Sequence, residues 1–165
     1  MKEICLFRHA KSSWKYPRLD DFERPLNKRG RKNAPFMGQI LHAIGFYPDL
    51  IISSPAARAA MTARIVAMRL GYSLEHIEYL ASIYESSHDN LLHVLSNLED
   101  RLNRIMLVGH NPAMTILANK LGDTSIANLP TSGAYCVAFN ISKWSQIRKK
   151  TGALQFFEFP KKSVA

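Results

Sequence analysis

The chain has 165 residues, 47% of them apolar and 21% charged, which excludes a disordered polypeptide and predicts one domain over residues 1–165 with a buried core. Its 22 Lys+Arg against 13 Asp+Glu leave a formal net charge of +9, an excess that favours anionic partners: phosphorylated molecules, acidic proteins or nucleic acid. No apolar stretch approaches the roughly 18 residues of a membrane helix, no signal-peptide core opens the chain, and Cys5 and Cys136 lie in apolar runs as expected for free buried thiols, so a cytoplasmic protein is expected.

Short apolar runs alternate with longer segments of helical period. "ICLF" (residues 4–7) reads as a buried strand that runs straight into Arg8 and His9. Residues 26–45 read as a helix with Phe36, Met37, Ile40, Leu41 and Ile44 along one side, and with Pro35 expected near its start or at a bend. "DLIISS" (49–54) is a second strand, ending in Ser53-Ser54-Pro55. A second helix over 56–71 stops at Gly71, and Met61, Ile65 and Met68 are its expected core stripe. Residues 77–80 form a candidate short strand, and 89–101 a helix whose Leu91, Leu92, Leu95 and Leu98 recur at helical spacing. "RIMLVGHNP" (104–112) is a strand that breaks at Gly-His-Asn-Pro, and 114–122 is the helix after it. "AYCVAF" (134–139) and "LQFFEF" (154–159) are late strands, and the tail from 160 to 165 is expected to be a mobile end. The alternation predicts a three-layer α/β/α fold, with a mostly parallel central sheet, helices on both faces and no large lid insertion.

Three of the strands end alike, in polar residues followed by a helix. In an open α/β sheet, the carboxyl ends of parallel strands line the ligand crevice. The ends here are Arg8-His9, Ser53-Ser54-Pro55 with Arg58 in the next helical turn, and Gly109-His110-Asn111. If the strands are neighbours, two arginines and two histidines converge, and such a cluster needs an anion. Guanidinium groups hold phosphoryl oxygens with paired donors, and backbone N–H groups at new helix starts add to them. No carboxylate cage or Gly-x-x-x-x-Gly-Lys loop accompanies the cluster, so neither a metal nor another cofactor is expected. A neutral imidazole is a competent nucleophile toward phosphorus and passes through a covalent phosphohistidine. Cationic neighbours favour the neutral form of His9, and Arg8, Arg58 and His110 are placed to hold the equatorial oxygens.

These residues resemble a known family. "LFRHAKSS" is similar to the Arg-His-Gly signature of the histidine phosphatase superfamily, "RPLNKRGRKNA" to the segment after it, "SSPAARAAMTA" to its second-arginine motif and "VGHNP" to its second-histidine motif. They occur in family order over residues 4 to about 121, and the closest resemblance is to small phosphohistidine phosphatases of the SixA type. One departure is Ala10 where the family has glycine, and a methyl there is expected to narrow the floor of the site. The resemblance implies His9 as nucleophile, Arg8 and Arg58 as phosphate clamp and His110 as a donor to a phosphoryl oxygen, with Ser12 or Ser13 as weak supplements. It also implies a Glu that protonates a leaving alcohol in larger members, for which Glu85 is the candidate ahead of Asp20, Asp21 and Asp89. His42, His76, His88 and His93 carry no motif and read as surface or packing residues.

Family members that hold small metabolites carry inserted lid segments, whereas here the connections from Gly71 to residue 89 and after His9 are short. An open site suits a side chain presented by another protein, such as an acidic phosphotransfer domain drawn in by the basic surface. The alternatives are a phosphatase for a small phosphorylated metabolite with Glu85 as acid, and a non-catalytic basic module for phosphoproteins or nucleic acid. The chain lacks the basic stripe interleaved with aromatics that nucleic-acid binding wants.

Overall fold

The computed structural model describes residues 1–164. Six strands form one sheet: β1 (Lys2–Arg8), β2 (Leu50–Ser53), β3 (Glu78–Tyr79), β4 (Arg104–Gly109), β5 (Ala134–Phe139) and β6 (Ala153–Glu158). Five helices accompany them: α1 (Lys28–Ile44), α2 (Ala57–Leu70), α3 (His88–Ser96), α4 (Ala113–Leu121) and α5 (Pro160–Val164). The strand order is β3-β2-β4-β1-β5-β6. The first four run parallel, β5 is antiparallel to β1, and β6 is antiparallel to β5. The result is a mixed, mostly parallel sheet.

The apolar runs are continuous because the central strands are covered on both sides. Along β1 the side chains alternate. Ile4 and Leu6 join Leu91, Leu95, Leu107, Leu117 and Leu121 on the face of α3 and α4. Cys5 and Phe7 join Met37, Leu41, Ala63, Val66 and Val108 on the face of α1 and α2. Cys5 and Cys136 are buried free thiols, opposite each other across β1 and β5. No helix among the described residues is long and apolar enough to cross a membrane.

The helices depart from expectation in several places. In α2 the buried side is Ala59, Ala63, Val66, Ala67 and Leu70, whereas Met61 and Ile65 are only partly buried and Met68 is 66% exposed. The apolar stripe expected at Met61, Ile65 and Met68 is thus not the inward face; α1 and α2 approach closely elsewhere, where a Cβ at Gly38 would stand 2.8 Å from Arg69 Cβ. Ile44, at the last turn of α1, is likewise exposed. Pro35 lies well inside α1, and Asn27 Oδ1 caps that helix by accepting the Gly30 N–H at 2.8 Å. Helix α3 ends at Ser96 with Asn97 as its cap, so Leu98 packs on the core from beyond the helix. The expected mobile tail forms the short helix α5 as far as Val164, and Ala165 lies outside the described residues.

Candidate active site

The strand order makes β1, β4 and β2 neighbours, so the three polar strand ends meet. Arg8 pairs in register with Gly109, and Ser53 with Val108. One further rung on each side fixes the residues that follow: the His9 N–H donates to Gly109 O at 3.1 Å and the Ser54 N–H to Val108 O at 3.0 Å. His9 and His110 therefore face each other, with ring centroids 5.1 Å apart. Arg58, second residue of α2, reaches in from the helix that follows β2.

Arg8, His9, Arg58 and His110 line a cavity of about 310 Å³ together with Ser12 and Arg24. A larger cavity of about 600 Å³ lies around Leu50, the first residue of β2, and Leu102, just ahead of β4. Its walls include Glu75, Glu78 and Glu99 but none of the convergent arginines and histidines.

The local bonding sets the state of His9. Its Nδ1 lies 2.7 Å from Ala10 O. A carbonyl only accepts, so Nδ1 carries the proton and the neutral ring keeps a lone pair on Nε2. Burial first, then the neighbouring His110, Arg58 and Arg8, hold the His9 pKa down to about 3, against the pull of the Ala10 carbonyl. His110 is held down to about 4, by burial first and then by Arg58.

Three polar atoms around this cavity have no partner. Arg8 Nε, Arg58 Nε and His110 Nδ1 are buried and make no hydrogen bond among the described residues. A buried polar atom without a partner loses its desolvation energy outright, and all three belong to residues lining this one cavity.

The histidine phosphatase superfamily (branch 1) family model matches residues 4–91, more than half of the chain. The chain belongs to that superfamily. It is a phosphatase, and histidine phosphatase chemistry, passing the phosphoryl group through a histidine, is its reaction class.

Relatives of this histidine phosphatase extend over nearly its whole length. An uncharacterized chloroplastic protein of Arabidopsis thaliana is 30% identical over 153 residues, 88% of this chain and 70% of that protein. An uncharacterized protein of Mycobacterium tuberculosis is 27% identical, over 93% of this chain and 99% of its own. Among solved structures, a candidate phosphohistidine phosphatase SixA from Agrobacterium tumefaciens superposes with a TM-score of 0.81 at 26% identity, covering 96% of this chain and 98% of that one. A protein histidine phosphatase SixA complexed with tungstate gives 0.83 at 18% identity over 98% and 99% of the two chains, a likeness of fold.

The other sequence candidates fall in different places. Ser12 lines the cavity, and its Oγ accepts from Arg24 Nη1 at 2.6 Å. Ser13 turns its Oγ to the Lys15 N–H instead. Glu85 is exposed, in a left-handed backbone conformation (φ 54°) just after Tyr84, and is not among the residues lining the cavity. Asp89 lies on α3 beside Lys120 and His88, and Asp20 is exposed. His42 and His93 bond to Tyr47 and Asn97, and His76 packs against the Tyr72 ring. Ala10 does not narrow the cavity floor as expected. Its side chain is buried with Leu26 and Ala34 in a separate small core, outside the cavity lining.

Sequence reasoning passed over Arg24 and Thr62, which the structure brings in, and ranked Asp21 only as a poorer acid candidate. Arg24, only 8% exposed, joins Ser12 to Asp21 and stacks 3.7 Å from the Trp14 ring. Asp21 accepts from Arg58 Nη2 at 2.9 Å, from Arg24 Nη2 at 3.1 Å and from Tyr84 Oη at 2.7 Å. The Tyr84 hydrogen bond, and after it Arg58 and Arg24, hold the Asp21 pKa down to about 2, so it stays ionised and does not donate a proton at neutral pH. Thr62 Oγ1 accepts the Ala10 N–H at 3.0 Å and donates to Arg58 O at 2.7 Å, linking the two motif segments. An Arg that heads a recognised segment, and a Thr one turn beyond Arg58, were the available signals.

The two depressed histidines make stability fall in acid. Their folded pKa values lie below the ordinary 6.5, so the unfolded chain binds more protons as pH drops. Their contribution is fully present above pH 6.5 and is lost progressively toward about pH 4 for His110 and about pH 3 for His9. Each contributes at most about 1.4 kcal/mol per pH unit in that window. Urea unfolding of wild type and His9→Ala from pH 7.5 to 4 should show a shallower decline for the variant. Parallel declines would contradict the burial of a neutral His9.

Proposed function

We propose that this phosphatase removes the phosphoryl group from phosphohistidine carried on another protein, by way of a covalent phosphohistidine on His9. The observation that carries the substrate class is that the described residues lining the cavity include no carboxylate. A departing alkoxide needs a proton delivered as the bond breaks, whereas imidazole leaves with far less charge to neutralise. The Agrobacterium tumefaciens structure, 26% identical over almost the full length, carries a phosphohistidine phosphatase name, which supports the same reading.

In the first step His9 Nε2 attacks phosphorus opposite the substrate's P–N bond. That bond breaks, its electron pair goes to the departing ring nitrogen, and water supplies the proton. In the second, water attacks phosphorus, the bond to His9 breaks with its electrons returning to Nε2, and inorganic phosphate leaves. Through both steps Nδ1 keeps its proton on the Ala10 carbonyl, which holds the ring orientation. Arg8, Arg58 and His110 hold the equatorial oxygens with the donors that are otherwise unpartnered.

The rim supports a protein-borne substrate. Trp14, which lines the cavity, is 75% exposed, and Tyr16, Leu19 and Phe22 are 50%, 39% and 39% exposed on the chain that follows it. Apolar groups exposed beside a polar cavity suit a protein surface, and the net charge of +9 draws an acidic one.

The test compares wild type and Glu85→Gln on three substrates: a protein bearing phosphohistidine, an aryl phosphate and an alkyl phosphate. The proposal expects efficient phosphohistidine turnover, weak alkyl turnover and changes within about threefold for the variant, as at exposed sites away from the chemistry. A selective loss on the alkyl ester, on the order of 10²-fold or more, would make Glu85 the general acid and a small phosphomonoester the substrate.

A further inference from the structure

Ser54 ends the second strand motif without a role in the chemistry above. It is fully buried, one residue past β2, and touches His110. Its Oγ lies 2.8 Å from His110 Nε2 and 3.2 Å from the Ala56 nitrogen. The Ala56 N–H can only donate, so Oγ accepts there. The hydroxyl proton then needs an acceptor of its own. The adjacent Ser53 hydroxyl is spent on Ser54 O at 2.9 Å. Among the described residues, His110 Nε2 is the acceptor placed for the Ser54 proton.

A neutral imidazole carries one ring proton. If Nε2 accepts from Ser54, that proton is on Nδ1, which is the unpartnered buried atom of a residue lining the cavity. The reverse tautomer is unfavourable twice. Oγ would take two N–H donors while its own proton found no acceptor, and Nδ1 would present a lone pair to a bound anion. The imidazolium shares the first defect.

We infer that Ser54 is a positioning residue: by donating to His110 Nε2 it fixes the tautomer that aims a neutral Nδ1–H at a phosphoryl oxygen. The inference rests on reading the cavity as the phosphoryl site. Arg8 and Arg58 already supply positive charge there, and His110 adds directional hydrogen bonding.

The experiment uses protein labelled with 15N in its histidines, with His110 assigned through His110→Gln. In the unliganded wild type the His110 signals should show a protonated Nδ1 and an unprotonated Nε2. In Ser54→Ala the ring should redistribute toward Nε2–H, and kcat/KM should fall roughly tenfold, short of the 10²–10³ that deleting an oxyanion donor costs. Ser54→Thr should restore both. In a His110→Ala background, Ser54→Ala should change kcat/KM by less than about twofold, because the hydroxyl acts through the ring. A wild-type spectrum with the proton on Nε2 would overturn the inference, and that measurement needs no variant of Ser54 to fold. An equal loss in both backgrounds would overturn it too, by showing that Ser54 acts through packing. Titration with inorganic phosphate separates this from the reading beneath it. If phosphate leaves the His110 signals unmoved, the phosphoryl site is elsewhere, whichever tautomer the free protein shows.

Discussion

His9→Ala should lower turnover on phosphohistidine by on the order of 10⁶-fold, the loss seen when a covalent nucleophile is removed from a site that otherwise stays intact. The residue does two things that no neighbour can take over. Its Nε2 lone pair is exposed to the cavity because Nδ1 is engaged by Ala10 O at 2.7 Å, and burial beside His110, Arg58 and Arg8 keeps the ring neutral far below neutral pH. His110 is not a substitute: its Nε2 faces Ser54 at 2.8 Å, not the anion. The variant should keep binding inorganic phosphate, with affinity changed by less than about tenfold, since the clamp donors remain. It should also lose all label when the enzyme is mixed with a 32P-phosphodonor and quenched in alkali, where phosphohistidine survives. Wild-type rates from the variant, or undiminished label, would move the covalent step to another residue.

The path of the chain through the site could be read from residue order, but the bonds that complete the site could not. Each strand that delivers a functional group is an apolar run cut short by polar residues, a pattern visible in "ICLFRHA" and "MLVGHNP" without any structure. Their adjacency was a condition in the sequence and is met by the strand order, which inserts β4 between β1 and β2. What escaped were side-chain links between segments far apart in the chain: Asp21 with Arg58, 37 positions away, Ala10 with Thr62, 52 away, and His110 with Ser54, 56 away. No local periodicity encodes such pairs. The error in α2 has a different cause. Hydropathy favours Met61 and Met68 as core, but the face that α2 turns inward is Ala59, Ala63, Val66, Ala67 and Leu70, which leaves Met68 on the outer side. The short α3 reflects capping. Ser87 accepts the Asn90 N–H at its start and Asn97 closes it, while the leucine spacing runs on past the point where the backbone turns away.

Arg58→Ala and Arg8→Ala should each lower kcat/KM by on the order of 10²–10³, about 2.7–4 kcal/mol of transition-state stabilisation, if each behaves as one oxyanion donor. The two losses have different companions. Arg8 Nη1 donates to Leu129 O at 3.1 Å and its Nε is unpartnered, so its removal takes away an anion donor and one backbone link. Arg58 is also the main cationic partner of Asp21, holding Asp21 O at 2.7 Å and Oδ2 at 2.9 Å. Its removal leaves that carboxylate to Arg24 and Tyr84, so the Asp21 pKa should rise from about 2 toward the ordinary carboxylate range. Arg58→Lys should rescue little, because a single ammonium cannot hold a phosphoryl oxygen through Nε while bonding Asp21 through two terminal nitrogens. Steady-state kinetics on phosphohistidine protein, with inorganic phosphate inhibition measured beside it, will read the loss. A drop confined to kcat assigns the guanidinium to the transition state, whereas equal weakening of phosphate inhibition assigns it to ground-state binding as well. Full activity in Arg58→Ala would mean that Asp21 engages this arginine for structural reasons alone, and that the anion is held by Arg8, Arg24 and His110.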